Sequence, residues 1–296
     1  MTDNILSSQA STSYHKIKID NLEIFYRAAG DMAKPVILLL HGFPSSSHMF
    51  RNLIEWLSND FYLIAPDYPG FGYSSCPDAE SFEYSFDNLA SVIEKFIDQL
   101  NLKNITLYMQ DYGGPVGFRI ATKRPELIAG LIIQNANAFE EGIGPDVQHV
   151  GALASAGDTE GLKAVIDYMM SFEGIREQYL YGASTPDVIS PDSYHMDSLL
   201  MQQPGRVDVQ TILFKNYGTN FPKYPEWQQY LRKHQPPTLI AWGKNDKIFP
   251  GTGAVAYQSA LPNAEIHLFD GGHFVIEEYG KDIATLISAF IKKHTD

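Results

Sequence analysis

The 296-residue chain lacks the features that mark secreted and membrane proteins. Its only cysteine is Cys76, so no internal disulfide can form, and a single cysteine suits a reducing compartment. No uninterrupted apolar run approaches the roughly 20 residues that cross a bilayer. Residues 1–13 are polar and serine-rich, without the basic and apolar segments of a secretory signal. We therefore expect a cytoplasmic protein in which residues 1–13 form a flexible tail.

Basic residues are also few. With 22 lysines and arginines against 35 aspartates and glutamates, the formal net charge is -13, and no cluster of basic residues stands out. This charge argues against nucleic acids and anionic membranes as partners. The 44% hydrophobic and 19% charged residues are an ordinary globular balance. A small-molecule substrate is the expected partner, and no motif calls for a cofactor or a bound metal.

Strand-like and helix-like segments alternate along most of the chain. The predicted strands are residues 15–19, 22–28, 35–40, 62–66, 105–109, 127–133, 238–242 and 265–269. Such alternation indicates an α/β protein with a parallel sheet covered by helices on both faces. Residues 138–234 interrupt it with helical segments and no strong strand. We expect a core formed by residues 14–137 and 235–296, and a helical lid, residues 138–234, over the carboxyl ends of the strands.

The segment from Ile105 to Gly117 predicts a strand, a sharp turn and a helix, with Asp111 at the turn. Gly113 and Gly114 follow, as small residues must where a side chain would collide with neighbouring backbone. This arrangement is called a nucleophile elbow. An aspartate is already anionic at neutral pH, so its carboxylate can displace a leaving group from a saturated carbon without first losing a proton.

Two further candidate residues, Asp246 and His273, each follow one of the last two predicted strands. Nucleophile, acid and histidine is a chain order known for catalytic triads. An acid could also follow the strand after the elbow, but residues 134–137 contain no carboxylate. A neutral amide cannot stabilise an imidazolium as a carboxylate can. Asp246 is therefore the preferred acid.

Three motifs carry a resemblance that spans nearly the whole chain. They are His41-Gly42-Phe43-Pro44, Ala65 to Gly72, and Gln110-Asp111-Tyr112-Gly113-Gly114. They resemble the oxyanion loop, the glycine-rich loop and the elbow of the aspartate-nucleophile branch of the α/β-hydrolase superfamily, which contains epoxide hydrolases and haloalkane dehalogenases. The elbow departs from the usual pattern at Tyr112, where tryptophan is common. The resemblance implies an α/β-hydrolase fold with a mostly parallel eight-stranded sheet, helices on both faces and an inserted helical lid.

The same resemblance implies a mechanism. Asp111 attacks a carbon that bears a leaving group and forms an alkyl ester, and His273, oriented by Asp246, then takes a proton from the water that hydrolyses the ester. The backbone N–H groups of Phe43 and Tyr112 are expected to hold the oxyanion. His41 and Gly42, which precede Phe43, are expected to support the oxyanion loop.

Opening an epoxide also requires an acid, and related epoxide hydrolases supply two lid tyrosines. The segment from Asn216 to Asn220 resembles the surroundings of the second of these, which makes Tyr217 a candidate. It departs from the pattern at Gly218, where an arginine is common. The segment around Tyr168 resembles the surroundings of the first, so Tyr168 is the other candidate lid acid.

Two alternatives stay open. Haloalkane dehalogenases hold the halide with indole N–H groups or an asparagine beside the oxyanion loop, but here Tyr112 and Phe43 occupy those places, and the lid tryptophan, Trp227, is expected to pack. We therefore favour epoxide opening over dehalogenation. The other alternative is a non-catalytic ligand-binding protein, against which the intact triad argues. The apolar lid predicts a small hydrophobic substrate, with water as co-substrate. The sequence does not determine the oligomeric state, and a homodimer is one possibility.

Overall fold

The computed structural model describes residues 11–295. Its strands are β1 Ser13–Ile19, β2 Leu22–Ala29, β3 Val36–Leu40, β4 Tyr62–Pro66, β5 Ile105–Gln110, β6 Ile128–Gln134, β7 Thr238–Gly243 and β8 Glu265–Phe269. They form one sheet in the order β1-β2-β4-β3-β5-β6-β7-β8. Strand β2 runs antiparallel to both β1 and β4, and every other pair is parallel. The predicted mostly parallel eight-stranded sheet is confirmed.

The first strand starts earlier than predicted. Strand β1 begins at Ser13 rather than at His15, because Ser13 pairs with Ala28 of β2 and its hydroxyl donates to the Ala28 carbonyl at 2.9 Å. This backbone pairing needs no apolar side chain, so the apolar pattern did not reveal it. Ser13 is therefore part of β1 rather than of the predicted tail, residues 1–13. Residues 1–10 of that predicted tail lie outside the described part of the chain.

Alternate residues of the central strands point into two separate cores. In β3, Leu38 and Leu40 belong to one core, and Ile37 and Leu39 belong to the other. All four side chains are fully buried. A strand buried on both faces is expected to be apolar at most positions, which explains the continuous apolar run of β3.

The helices are α1 Arg51–Leu57, α2 Phe86–Gln99, α3 Gly113–Lys123, α4 Pro145–Ala156, α5 Thr159–Met170, α6 Phe172–Leu180, α7 Pro191–Met201, α8 Arg206–Asn216, α9 Tyr224–His234, α10 Gly251–Ala256 and α11 Val275–Thr295. Buried residues of α2, α3 and α10 lie in the first core, and those of α1 and α11 lie in the second. Helices therefore cover both faces of the sheet. Helices α4 to α9 fall within residues 138–234. None of the helices in residues 11–295 is both long and apolar enough to cross a membrane.

The parallel strands bring distant residues to one edge of the sheet. Strands β3, β5, β7 and β8 all end there, and the segments that follow them carry Phe43, Asp111, Asp246 and His273 respectively. Carboxyl ends of parallel strands are the usual location of ligand sites in α/β proteins. The topology alone therefore places the predicted site residues close together.

Candidate active site

Asp111 lies at the sharp turn between β5 and α3. Its φ is 48°, in the left-handed region that residues other than glycine rarely adopt. Two small residues make this turn possible. A Cβ on Gly113 would lie 2.1 Å from the carbonyl oxygen of Leu40, and a Cβ on Gly114 would lie 3.0 Å from the Cβ of Ala136. The backbone thus presents the Asp111 carboxylate from a strained corner, as in a nucleophile elbow.

The Asp111 carboxylate is buried against backbone donors. The N–H of Phe43 donates to its Oδ1 at 2.7 Å, and the N–H of Tyr112 also donates to this carboxyl group. The backbone of Gly42 approaches Asp111 so closely that a Cβ on Gly42 would lie 2.3 Å from the Asp111 Cβ. Burial raises the pKa of Asp111 to about 6, although His273 and the two N–H donors oppose this rise. The carboxyl group is therefore mostly ionised at pH 7.

The imidazole of His273, in the segment between β8 and α11, pairs with Asp246. Its Nδ1 lies 2.7 Å from Oδ2 of Asp246, while the N–H of Ile248 donates to Oδ1 at 2.7 Å. Because Nδ1 faces a carboxylate, it carries a proton, and Nε2 is the nitrogen that can accept one. Burial acts to lower the pKa of His273, but the carboxylates of Asp246 and Asp111 outweigh it, so this pKa lies above its usual value.

The Nε2 atom of His273 points toward the Asp111 carboxylate. It lies 3.8 Å from Oδ2 of Asp111, which is longer than a hydrogen bond. It also lies 3.0 Å from Nε2 of Gln110, the residue before Asp111. The structure therefore gathers the three predicted residues into one buried group and adds Gln110, for which the sequence had suggested no role.

Asn135 is a second residue of the site that the sequence did not single out. It follows β6 with a φ of 42°, a conformation that asparagine tolerates better than most residues. Its Nδ2 donates to Oδ2 of Asp246 at 2.8 Å, and its Oδ1 accepts from the N–H of Gly243 at 2.9 Å. The sequence showed only that this position lacks a carboxylate. In the structure its amide bonds Asp246 and holds that carboxylate beside β7.

His41 lies beneath the oxyanion loop. Its Nδ1–H donates to the carbonyl of Gly42 at 3.1 Å, and its Nε2 accepts from the N–H of Tyr68 at 3.3 Å. Burial lowers the pKa of His41 to about 4, so the ring is neutral at pH 7. These contacts tie His41 to Gly42 and Tyr68, and the supporting role of His41 and Gly42 stays a prediction.

A cavity of about 290 Å³ opens above Asp111. Core residues Phe43 and Tyr112 line it together with Asp111, and many of the other lining residues come from residues 146–178 and 214–217. The apolar part of the wall includes Val147, Val150, Val165, Met169, Phe214 and Ile248. A wall of this composition favours a small or medium hydrophobic ligand.

Tyr217, one of the two candidate lid acids, lies directly over the elbow. Its ring stacks on Tyr112, with centroids 5.8 Å apart, and on Phe249, with centroids 6.3 Å apart. Its hydroxyl is hydrogen-bonded to that of Tyr224, which in turn accepts from Nδ2 of Asn137 at 3.2 Å. Burial raises the pKa of Tyr217 well above its usual value, so the hydroxyl keeps its proton at neutral pH.

The other candidate, Tyr168, lines the cavity but is arranged differently. Its side chain is 50% exposed, and its hydroxyl donates to the carboxylate of Glu177. Of the two predicted tyrosines, Tyr217 therefore packs against the elbow, whereas the hydroxyl of Tyr168 is bonded to Glu177 at the cavity wall. The lid tryptophan, Trp227, is buried and stacks on Phe118, with ring centroids 5.3 Å apart. It packs, as predicted.

Charged residues border the cavity on one side. Nζ of Lys247 lies 2.7 Å from the carboxylate of Glu177 and 3.5 Å from that of Asp146. These ion pairs connect the segment after Asp246 to helices α4 and α6. Within residues 11–295, no group of three or more His, Cys, Asp or Glu side chains could hold a metal ion.

Comparison with known proteins agrees with this fold. The family model of the alpha/beta hydrolase fold matches residues 35–184 and 201–279. The chain therefore belongs to the α/β-hydrolase superfamily, and the predicted fold class is confirmed.

The relatives include several hydrolases. An uncharacterized hydrolase of Saccharomyces cerevisiae, YNR064C, is 41% identical over 94% of this chain and 97% of its own length. A haloalkane dehalogenase of Psychrobacter cryohalolentis is 29% identical over 94% of this chain and 91% of its own, and mouse epoxide hydrolase 4 is 26% identical over 95% and 80%. Among solved structures, the haloalkane dehalogenase DatA of Agrobacterium tumefaciens has a TM-score of 0.77 at 22% identity, covering 96% of this chain and 97% of its own.

Proposed function

We propose that this protein hydrolyses epoxides to diols through a covalent ester on Asp111. The observation that carries the proposal is the position of Tyr217, whose ring stacks on Tyr112 in the same cavity as the Asp111 carboxylate. Opening an epoxide produces an alkoxide that must gain a proton, whereas a departing halide needs none. Relatives are named for each of the two reactions, so the proton donor is the feature that favours the epoxide.

In the first step, Oδ2 of Asp111 attacks a ring carbon of the epoxide. The carbon–oxygen bond of the ring breaks as the ester bond forms. The hydroxyl of Tyr217 turns from Tyr224 to the ring oxygen and gives it its proton, which leaves Tyr217 as a phenolate. The N–H of Phe43 holds the other carboxylate oxygen, Oδ1, at 2.7 Å. This contact directs Oδ2 toward the substrate and fixes the nucleophile before the reaction begins.

In the second step, Nε2 of His273 takes a proton from water, and the water oxygen attacks Cγ of the Asp111 ester. The negative charge that develops on Oδ1 is stabilised by the N–H groups of Phe43 and Tyr112, which already contact this carboxyl group in the resting enzyme. The intermediate collapses, and the diol oxygen leaves with the proton held by His273. Asp111 is left as a carboxylic acid, and its proton returns to the Tyr217 phenolate, so that the resting carboxylate and phenol are both restored. Asp246 stabilises the imidazolium between the two proton transfers.

The same residues give less support to halide removal. A halide needs N–H donors that stay protonated, and Phe43 and Tyr112 supply none from their side chains. The indole of Trp227 is buried against Phe118. We further propose that residues 138–234 act as the lid of the site, because α4, α5, α6 and α8 contribute to the cavity wall.

The proposal is tested by intact-protein mass spectrometry on His273→Ala, with His267→Ala as the control. His267 lies on β8, outside the site. Without the base, attack by Asp111 remains possible but hydrolysis of the ester does not, so the ester should accumulate. The panel contains epoxides, alkyl halides and an oxetan-2-one, because a relative from Shewanella oneidensis, 29% identical over 86% of this chain, is named a cis-3-alkyl-4-alkyloxetan-2-one decarboxylase.

Each outcome has a distinct meaning. Addition of the whole epoxide mass, mapped to Asp111, supports epoxide hydrolysis. Addition of an alkyl group without its halogen indicates a dehalogenase, and an adduct with the oxetanone alone indicates lactone chemistry. If no compound forms an adduct while the wild-type protein binds epoxides and releases them unchanged, the protein is a ligand-binding member of the superfamily.

A further inference from the structure

Gln110 is a buried polar residue in direct contact with the base. It is the last residue of β5 and is fully buried. Its Nε2 lies 3.0 Å from Nε2 of His273, the atom that takes the proton from water. Its Oε1 is buried and has no hydrogen-bond partner among the described residues. A buried carbonyl without a partner is costly, so its presence beside the base requires a physical explanation.

The contact suits the resting state of the enzyme. Nδ1 of His273 carries a proton for Asp246, so in the neutral ring Nε2 presents a lone pair. The amide N–H of Gln110 donates to this lone pair and keeps the ring turned toward Asp111. Asp111 itself cannot do this, because its Oδ2 is 3.8 Å away and bears no proton when ionised.

The same amide also suits the protonated state. Once Nε2 gains a proton it becomes a donor and needs an acceptor. A half-turn of the Gln110 amide exchanges its nitrogen and oxygen and presents Oε1, and no hydrogen bond to Oε1 has to break. The final torsion of glutamine is soft, so this rotation costs little. In the ester, Asp111 is neutral and can no longer stabilise the imidazolium by charge.

We propose that Gln110 is a positioning residue that holds His273 in both of its protonation states by rotating its amide. The role rests on the proposed ester mechanism and belongs to its second half. Water approaches Nε2 in place of the amide N–H, its proton moves to Nε2 and its oxygen bonds to Cγ of Asp111. The rotated Oε1 then accepts from Nε2–H until the proton passes to the departing alkoxide. Ester formation needs none of these steps.

The test compares Gln110→Met with Gln134→Met in single-turnover experiments that follow ester formation and ester loss separately by mass. Methionine has a similar length and shape but lacks the amide. Gln134 is the matched control, because it pairs with Gln110 on strand β6, is equally buried, and bonds Tyr108 instead of the base. We expect Gln110→Met to form the ester within about threefold of the wild-type rate and to hydrolyse it about tenfold more slowly or worse, since a hydrogen bond to a charged group is lost. Gln134→Met should change neither step selectively.

A second variant adds a readout that a purely structural role would not affect. Gln110→Glu places a carboxylate beside His273 and should move the acid limb of ester hydrolysis about one pH unit or more upward. The inference is overturned if Gln110→Met slows both steps together or neither, or if the acid limb of Gln110→Glu stays in place. If His273→Ala accumulates the ester but both Gln110 variants behave like the wild type, the role of Gln110 is refuted and the proposed function stands. Absence of any ester refutes the proposed function itself.

Discussion

Asp246→Asn is the substitution whose effect the structure defines most closely. Each oxygen of the Asp246 carboxylate faces at least one N–H group, so neither oxygen can be replaced by an NH₂ group without the loss of a hydrogen bond. Oδ2 faces Nδ1–H of His273 and Nδ2–H of Asn135, and Oδ1 accepts from the N–H of Ile248. An amide has one oxygen and one NH₂ group. Whichever way it turns, its NH₂ group meets at least one of these donors.

Each orientation has a calculable cost. If the new oxygen stays on His273, the NH₂ faces the N–H of Ile248, and a buried donor without a partner costs about 1–3 kcal/mol of stability. The imidazolium also loses a charged partner, worth about 1.5–3 kcal/mol, or roughly tenfold to more than a hundredfold in rate. If the NH₂ faces His273, the proton moves to Nε2 and the base is lost, a change that costs about four orders of magnitude in serine proteases. We expect ester hydrolysis to slow by about a hundredfold or more.

The assay is a single turnover with an epoxide, in which mass spectrometry follows the rise and decay of the ester. Ester formation should stay near the wild-type rate, since Asp246 does not touch the nucleophile, and the ester should persist. The control is Asp270→Asn, an exposed aspartate of the segment that carries His273, which bonds Asn245 and Lys244 instead. Wild-type decay of the ester in Asp246→Asn would refute the assigned role of this pair.

Three further predictions follow from the same contacts. Tyr217→Phe should slow ester formation from an epoxide by about a hundredfold or more, because general acid catalysis is lost. The rate of any reaction with an alkyl halide should stay within a few-fold of the wild-type rate, and stopped-flow experiments can measure both rates. Gly113→Ala should lower the melting temperature sharply or prevent folding, because its Cβ would lie 2.1 Å from the carbonyl oxygen of Leu40; an unchanged melting temperature would contradict this. Ester formation needs ionised Asp111, whose pKa burial raises to about 6, so its rate should rise with pH through about 6. A rate of ester formation that stays constant from about pH 5 to about pH 7 would contradict this.

The strands and the chemistry at their ends could be predicted from local patterns. Continuous apolar runs such as β3 and β5 are what a sheet buried on both faces requires, and the residues after the strands follow the chain order of a triad. Asp111 was recognisable because the two glycines after it mark a turn that tolerates no side chain. These signals lie within a few neighbouring residues.

The supporting contacts could not be predicted because they depend on register and helix phase. Gln110 and His273 are 163 positions apart, and Asn135 and Asp246 are 111 apart. Their meeting follows from the order of the strands in the sheet. Tyr168 lies in a motif-like segment, but the rotation of α5 directs its hydroxyl to Glu177. The domain limits at residues 137–138 and 234–235 stay predictions.

The most direct test of Asp111 as the nucleophile is a single turnover of an epoxide in water labelled with heavy oxygen, with enzyme in excess over substrate. If Asp111 attacks, the oxygen added to the first diol comes from its carboxylate. We therefore predict an unlabelled diol and a labelled peptide that contains Asp111. A labelled diol with an unlabelled Asp111 would mean that water attacks the epoxide directly, and would contradict the ester mechanism.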